Sequence, residues 1–88
     1  MRAEEFKELL KNHPFRPLRV YLTDGRTYDI RHPDQVLVMR QALDIGLQPD
    51  PVSGILEGAH RCSLLHVVRV EEMQPSSADG AAPGANGQ

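Results

Sequence analysis

One cysteine, no tryptophan and only four other aromatic residues stand among the 88 residues of this chain. A lone Cys62 cannot close an internal disulfide, which suits a reducing cytoplasm. Charge of one sign is also missing: ten Lys+Arg face twelve Asp+Glu, for a formal −2. That balance excludes a domain that binds polyanions through bulk charge, since such domains are strongly basic. No apolar run approaches the ~20 residues that cross a bilayer, so no membrane partner is expected. Met1-Arg2-Ala3-Glu4-Glu5-Phe6 lacks the apolar stretch of a secretory signal. The phosphate cradles G-x-x-x-x-G-K-[ST] and G-x-G-x-x-G do not occur, nor does a G-x-S-x-G nucleophile elbow. These absences leave a cytoplasmic, noncatalytic protein without a cofactor as the expectation.

The C-terminal stretch, 75–88, has no Leu, Ile, Val, Met or aromatic side chain. It can bury almost nothing to offset the entropy of ordering, so it reads as a disordered tail. Residues 1–74 then form a single small domain. A domain of that size buries roughly 60% of its unfolded surface, and oligomerisation is a natural way for it to gain stability.

Phe6, Leu9 and Leu10 fall at i, i+3 and i+4 with charged residues between them, the pattern of an amphipathic helix. Glu4 and Glu5 come early and Lys7 and Lys11 late, as the helix dipole favours. Asn12-His13-Pro14 stops the helix, because the residue before proline is pushed out of helical space. From Pro17 the period becomes 2: Leu18, Val20 and Leu22 alternate with Arg19, Tyr21 and Thr23. Asp24-Gly25 predicts a hairpin with a type I′ turn, followed by a strand over Arg26 to Ile30. His32-Pro33-Asp34 interrupts the ladder, since proline has no N–H to donate. Val36 to Met39 is an apolar run that implies burial on both faces, or on one face against a partner. Leu43, Ile45 and Leu47 alternate again, 48–54 reads as a loop, Ile55 to Leu64 as a weak strand and Val67 to Val70 as a strong one. One helix and about five short antiparallel strands result, a mainly β protein.

Four histidines, at 13, 32, 60 and 66, raise a metal site, and His60, Cys62 and His66 share strand parity. Zinc sites announce themselves by close ligand pairs that are missing here, and a free cysteine is commonly a small buried hydrophobe, so no metal is expected. Arg16, Arg19, Arg26 and Arg31 cluster within one short stretch, and no lysine follows Lys11. Arginine grips phosphate bidentately, so these residues could give a neutral protein one positive sheet face. Alternatively they are solvated strand positions paired with Asp24, Asp29 and Asp34.

Pro14-Phe15-Arg16-Pro17, Leu22-Thr23-Asp24-Gly25-Arg26, His32-Pro33-Asp34 and Leu64-Leu65-His66-Val67 together resemble a group of short bacterial proteins with no assigned activity. The order of helix, strand, turn, bent strands and short final strand also resembles the Sm-like small barrel, the superfamily of the ring-forming bacterial RNA chaperone. The Val20–Gly25 segment is similar to its first motif, and Asp34-Gln35-Val36-Leu37-Val38 to the segment carrying its RNA-contacting loop. That family has a base-stacking aromatic where Val36 stands. The resemblance implies a partly open small barrel that binds RNA and self-associates. It places RNA contacts at Arg31, His32, Asp34 and Gln35, with Arg16 and Arg19 as further phosphate contacts. SH3-like barrels share nearly the same strand order, and the alternative is therefore a protein-interaction module. Self-association is expected along the edge strands near Ile55–Leu64 and Val67–Glu71.

Overall fold

Helix α1 (Ala3–Leu10) opens the structure, a computed structural model that describes residues 1–73. The expected tail, 75–88, lies outside the described residues. Glu5 Oε1 accepts a hydrogen bond from the Arg2 backbone N–H at 2.8 Å, fixing the first turn. The apolar stripe faces inward, but unequally: Phe6 is fully buried, while Leu9 and Leu10 are only half-buried against the same core. A helix this short is held by that packing, because alone in water it would not persist.

Six strands follow: β1 (Leu18–Leu22), β2 (Thr27–Ile30), β3 (Val36–Val38), β4 (Ala42–Leu47), β5 (Gly58–Ser63) and β6 (Val67–Glu72). They form two antiparallel sheets of three strands, ordered β2-β1-β6 and β3-β4-β5. The fold is thus mainly β with an N-terminal helix, small and partly open, and no closed barrel forms among the described residues. The count exceeds the expected five because the stretch from Val36 to Leu47 folds back on itself as two paired strands, β3 and β4, with Val36 opposite Ile45. No described helix is long and apolar enough to cross a membrane.

The alternation in β1 survives as buried Leu18, Val20 and Leu22 and half-buried Arg19 and Tyr21. With Phe6, Ile30, Leu43 and Ile45 they make a core shared by both sheets. Fully burying one such side chain contributes about 1.5–3 kcal/mol before ordering costs. Leu37 is exposed, so the apolar run of β3 is not covered on both faces. Ile55 and Leu56 precede β5 and lie in the loop that leads to it.

The hairpin between β1 and β2 differs from the expected two-residue turn. Gly25 alone takes positive φ, +88°, while Asp24 does not. The Leu22 N–H donates to the Arg26 carbonyl at 2.9 Å, and the Gly25 N–H to the Leu22 carbonyl at 3.0 Å. Those bonds enclose Thr23-Asp24-Gly25 as a three-residue loop in which glycine takes the left-handed position. Asp24 stabilises it from its side chain, accepting the Arg26 N–H at 2.9 Å.

Candidate functional site

At Ile30 the sheet must bend, because Pro33 cannot donate to a ladder and a 3-10 turn over Pro33–Gln35 replaces it. Gln35 makes good the lost bonds from its side chain. Its Oε1 accepts the Arg31 N–H at 2.8 Å, and its Nε2 donates to the carbonyls of Asp29 at 2.9 Å and Gly46 at 2.8 Å. One buried amide therefore ties the end of β2 to the end of β4 and joins the two sheets. Gly46 is required there: a Cβ would stand 2.9 Å from the Gln35 carbonyl oxygen and 2.7 Å from Leu56.

Beside this corner lies an open concavity of about 970 Å³. One wall is the segment around Arg31, His32 and Asp34, the other the loop between β4 and β5. That loop is well braced. Asp50 Oδ1 accepts the N–H groups of Val52 and Ser53 at 2.8 and 2.9 Å, and the Asp50 N–H donates to the Ile55 carbonyl at 2.8 Å. Those backbone donors hold the Asp50 carboxyl below the usual carboxylate range. Tyr28 also lines the concavity, and its ring stacks on His60 with centroids 4.8 Å apart.

Of the sequence-predicted residues, the fold brings Arg31, His32, Asp34 and Gln35 to this concavity. The Gln35 amide is not free to read a base edge, since every polar atom of it bonds to backbone. Arg19 reaches the region only through Asp29, which it grips bidentately at 2.8 and 3.1 Å. Hydrogen bonding from Arg19 holds the Asp29 carboxyl below its ordinary range, and the same pairing raises the Arg19 guanidinium further. Arg31 has a single, longer contact, 3.6 Å, to that same carboxylate. Arg16 sits apart, across β1, with Glu72 at 3.6 Å.

The arginines do not make a positive face. Each of Arg16, Arg19, Arg26, Arg31, Arg40, Arg61 and Arg69 has a carboxylate partner, Arg40 with Glu4 and Arg61 bidentately with Asp44 among them. The Arg69 guanidinium also lies over the Tyr21 ring at 3.7 Å. The opposite wall, Asp50, Leu56 and Glu57, is not signalled as a site in the chain, because 48–54 reads by composition as an ordinary loop and Ile55 to Leu64 as a weak strand, whereas β5 begins only at Gly58. The one local cue there is Asp50 followed by Ser53-Gly54, the side-chain-braced turn that orders this wall.

His60, Cys62 and His66 line one small concavity beside the β1–β2 turn without forming a ligand set. His60 is spent on Tyr28, His66 Nδ1 lies 3.3 Å from Thr23 Oγ1, and Cys62 is buried. Among the described residues no cluster of three or more His, Cys, Asp or Glu side chains could hold a metal ion. Compared with known protein families, curated proteins and solved structures, the chain finds no match.

Proposed function

We propose that this chain is a noncatalytic binding module of the Sm-like or SH3-like small-barrel kind, working through protein contacts and self-association. The observation that carries the reading is a pair of open strand edges. Among the described residues β5 pairs only with β4, and β6 only with β1, so each keeps one row of backbone donors and acceptors unpaired. Leu65 and Val68, 88% and 56% exposed, flank the start of β6 and offer apolar area beside it. Charge on β6 is no barrier to pairing, because Arg69 and Glu71 neutralise each other at 2.9 Å. Pairing β5 of one copy with β6 of the next would bury both edges.

A binding role also suits Cys62. Burial pushes its thiol up, away from the lowered range of an activated nucleophile. RNA is the weaker ligand reading, because each arginine offered to phosphate already has a carboxylate on it. The test is sedimentation over a concentration series, with an oligouridine titration alongside. The expected result is a mass rising above the 9.8 kDa monomer, reversed by Leu65→Lys with Val68→Lys. A monomer at every concentration refutes self-association. Oligouridine binding at ~50 mM salt that disappears in Arg31→Ala would restore the RNA reading.

A further inference from the structure

The distribution of unpaired charge singles out one surface. Outside α1, the only described carboxylates without a basic side chain at ion-pair distance are Asp34, Asp50 and Glu57. All three line the same concavity. Elsewhere on the strands and turns the protein neutralises its acids with arginine, and here it does not. The one cation at this surface, Arg31, is itself drawn toward Asp29 at 3.6 Å. Leu56 and Val52, exposed by 40% and 95%, lie on the loop side of the same surface.

We propose that this concavity receives an extended basic segment of another protein. Lysine or arginine side chains of the segment would meet Asp34, Asp50 and Glu57, and an apolar side chain between them would rest on Leu56 and Val52. Three observations favour that occupant. A volume of about 970 Å³ lies at the upper end of the ~300–1,000 Å³ typical of ligand sites, room for several side chains rather than one ion. The charge is of the sign that attracts a cation and repels phosphate. The walls are already in place, since Gln35 locks one and Asp50 braces the other, so little ordering entropy is lost on binding.

This inference rests on reading the chain as a protein-binding module, but it concerns a different surface from the strand edges. The experiment is fluorescence anisotropy with a short labelled peptide of alternating arginine and leucine, compared with a glutamate–leucine peptide and oligouridine. The arginine–leucine peptide should bind, weaken as salt rises, and lose about tenfold in affinity with Asp34→Asn plus Glu57→Gln, the size expected of two exposed ion pairs lost together. Both residues are exposed and lack an ion-pair partner, so the variant should fold as the parent does. Leu56→Ser should weaken the same peptide without changing its salt dependence. Unchanged affinity in the charge variant, or preference for the glutamate peptide or oligouridine, overturns the proposal. Self-association that persists while the peptide fails to bind removes this inference alone, and peptide binding by a strict monomer removes only the edge-pairing reading.

Discussion

Replacing Gln35 tests the joint between the two sheets most directly. Gln35→Leu keeps the volume and removes three hydrogen bonds, to the Arg31 N–H and to the carbonyls of Asp29 and Gly46. At about 1 kcal/mol net for each bond, the loss is ~3 kcal/mol. The Gly46 carbonyl is buried, and leaving it unpaired adds ~1–3 kcal/mol unless water enters from the concavity. The apolar side chain recovers part of this by burial, so the expected net loss is about 3 kcal/mol. A domain this small has roughly 4–11 kcal/mol in all, so the change is a large fraction of its stability. Urea denaturation followed by far-ultraviolet circular dichroism, at one fixed protein concentration, should show the midpoint falling by ~2–3 M for a slope near 1 kcal/mol/M. A loss under about 0.5 kcal/mol, the size of an ordinary surface change, would refute the joint. Gln35→Glu supplies the control. Its carboxylate would face two carbonyl oxygens, so the native state raises its pKa above the unfolded ~4.3. The deficit relative to the parent should be full at neutral pH and should shrink as pH falls toward that unfolded value, because protonation restores a donor.

Two further outcomes follow from packing and pairing. Phe6→Ala should cost ~3–5 kcal/mol and Leu9→Ala clearly less, since only Phe6 is fully buried, and calorimetry that ranks them in reverse would refute the packing of α1. Asp29, held low by its bond to Arg19, should titrate below the unfolded ~3.9 when followed by carboxyl NMR. Its contribution is present above that unfolded value and lost as pH falls through the lower folded one. With the Arg19 side chain 41% exposed, that contribution stays under about 1 kcal/mol, and Asp29→Asn should flatten this part of the acid arm.

Local signals in the sequence carried the element order well. The change of hydrophobic period at Pro17 marks the passage from α1 to β1, and Pro33 marks the break between β2 and β3. What local reasoning could not supply was which partners each polar group finds. Gln35 reads in the chain as an exposed loop amide, yet its carbonyl acceptor on Gly46 lies eleven residues away and meets it only after β4 folds back. The same limit shaped the turn at Asp24-Gly25, where a dipeptide suited to type I′ geometry sits in a three-residue loop fixed by the register of β1 on β2.

Charge shows the limit most sharply. A formal −2 and a cluster of arginines in the first strands suggest either a neutral surface or a hidden positive face. Folding produces neither. Antiparallel pairing sets Arg19 opposite Asp29 and Arg61 opposite Asp44, while Arg26, Arg40 and Arg69 find carboxylates in the turn, on α1 and along β6. Outside α1, the described carboxylates left without a basic partner come from two segments distant in the chain, Asp34 from the bend and Asp50 and Glu57 from the long loop. Ion pairing across strands, within the turn, along β6 and to α1 thus converts an almost balanced composition into a neutral scaffold with one acidic hollow. A ligand attracted by that hollow must be cationic, whatever the arginine count of the whole chain suggests.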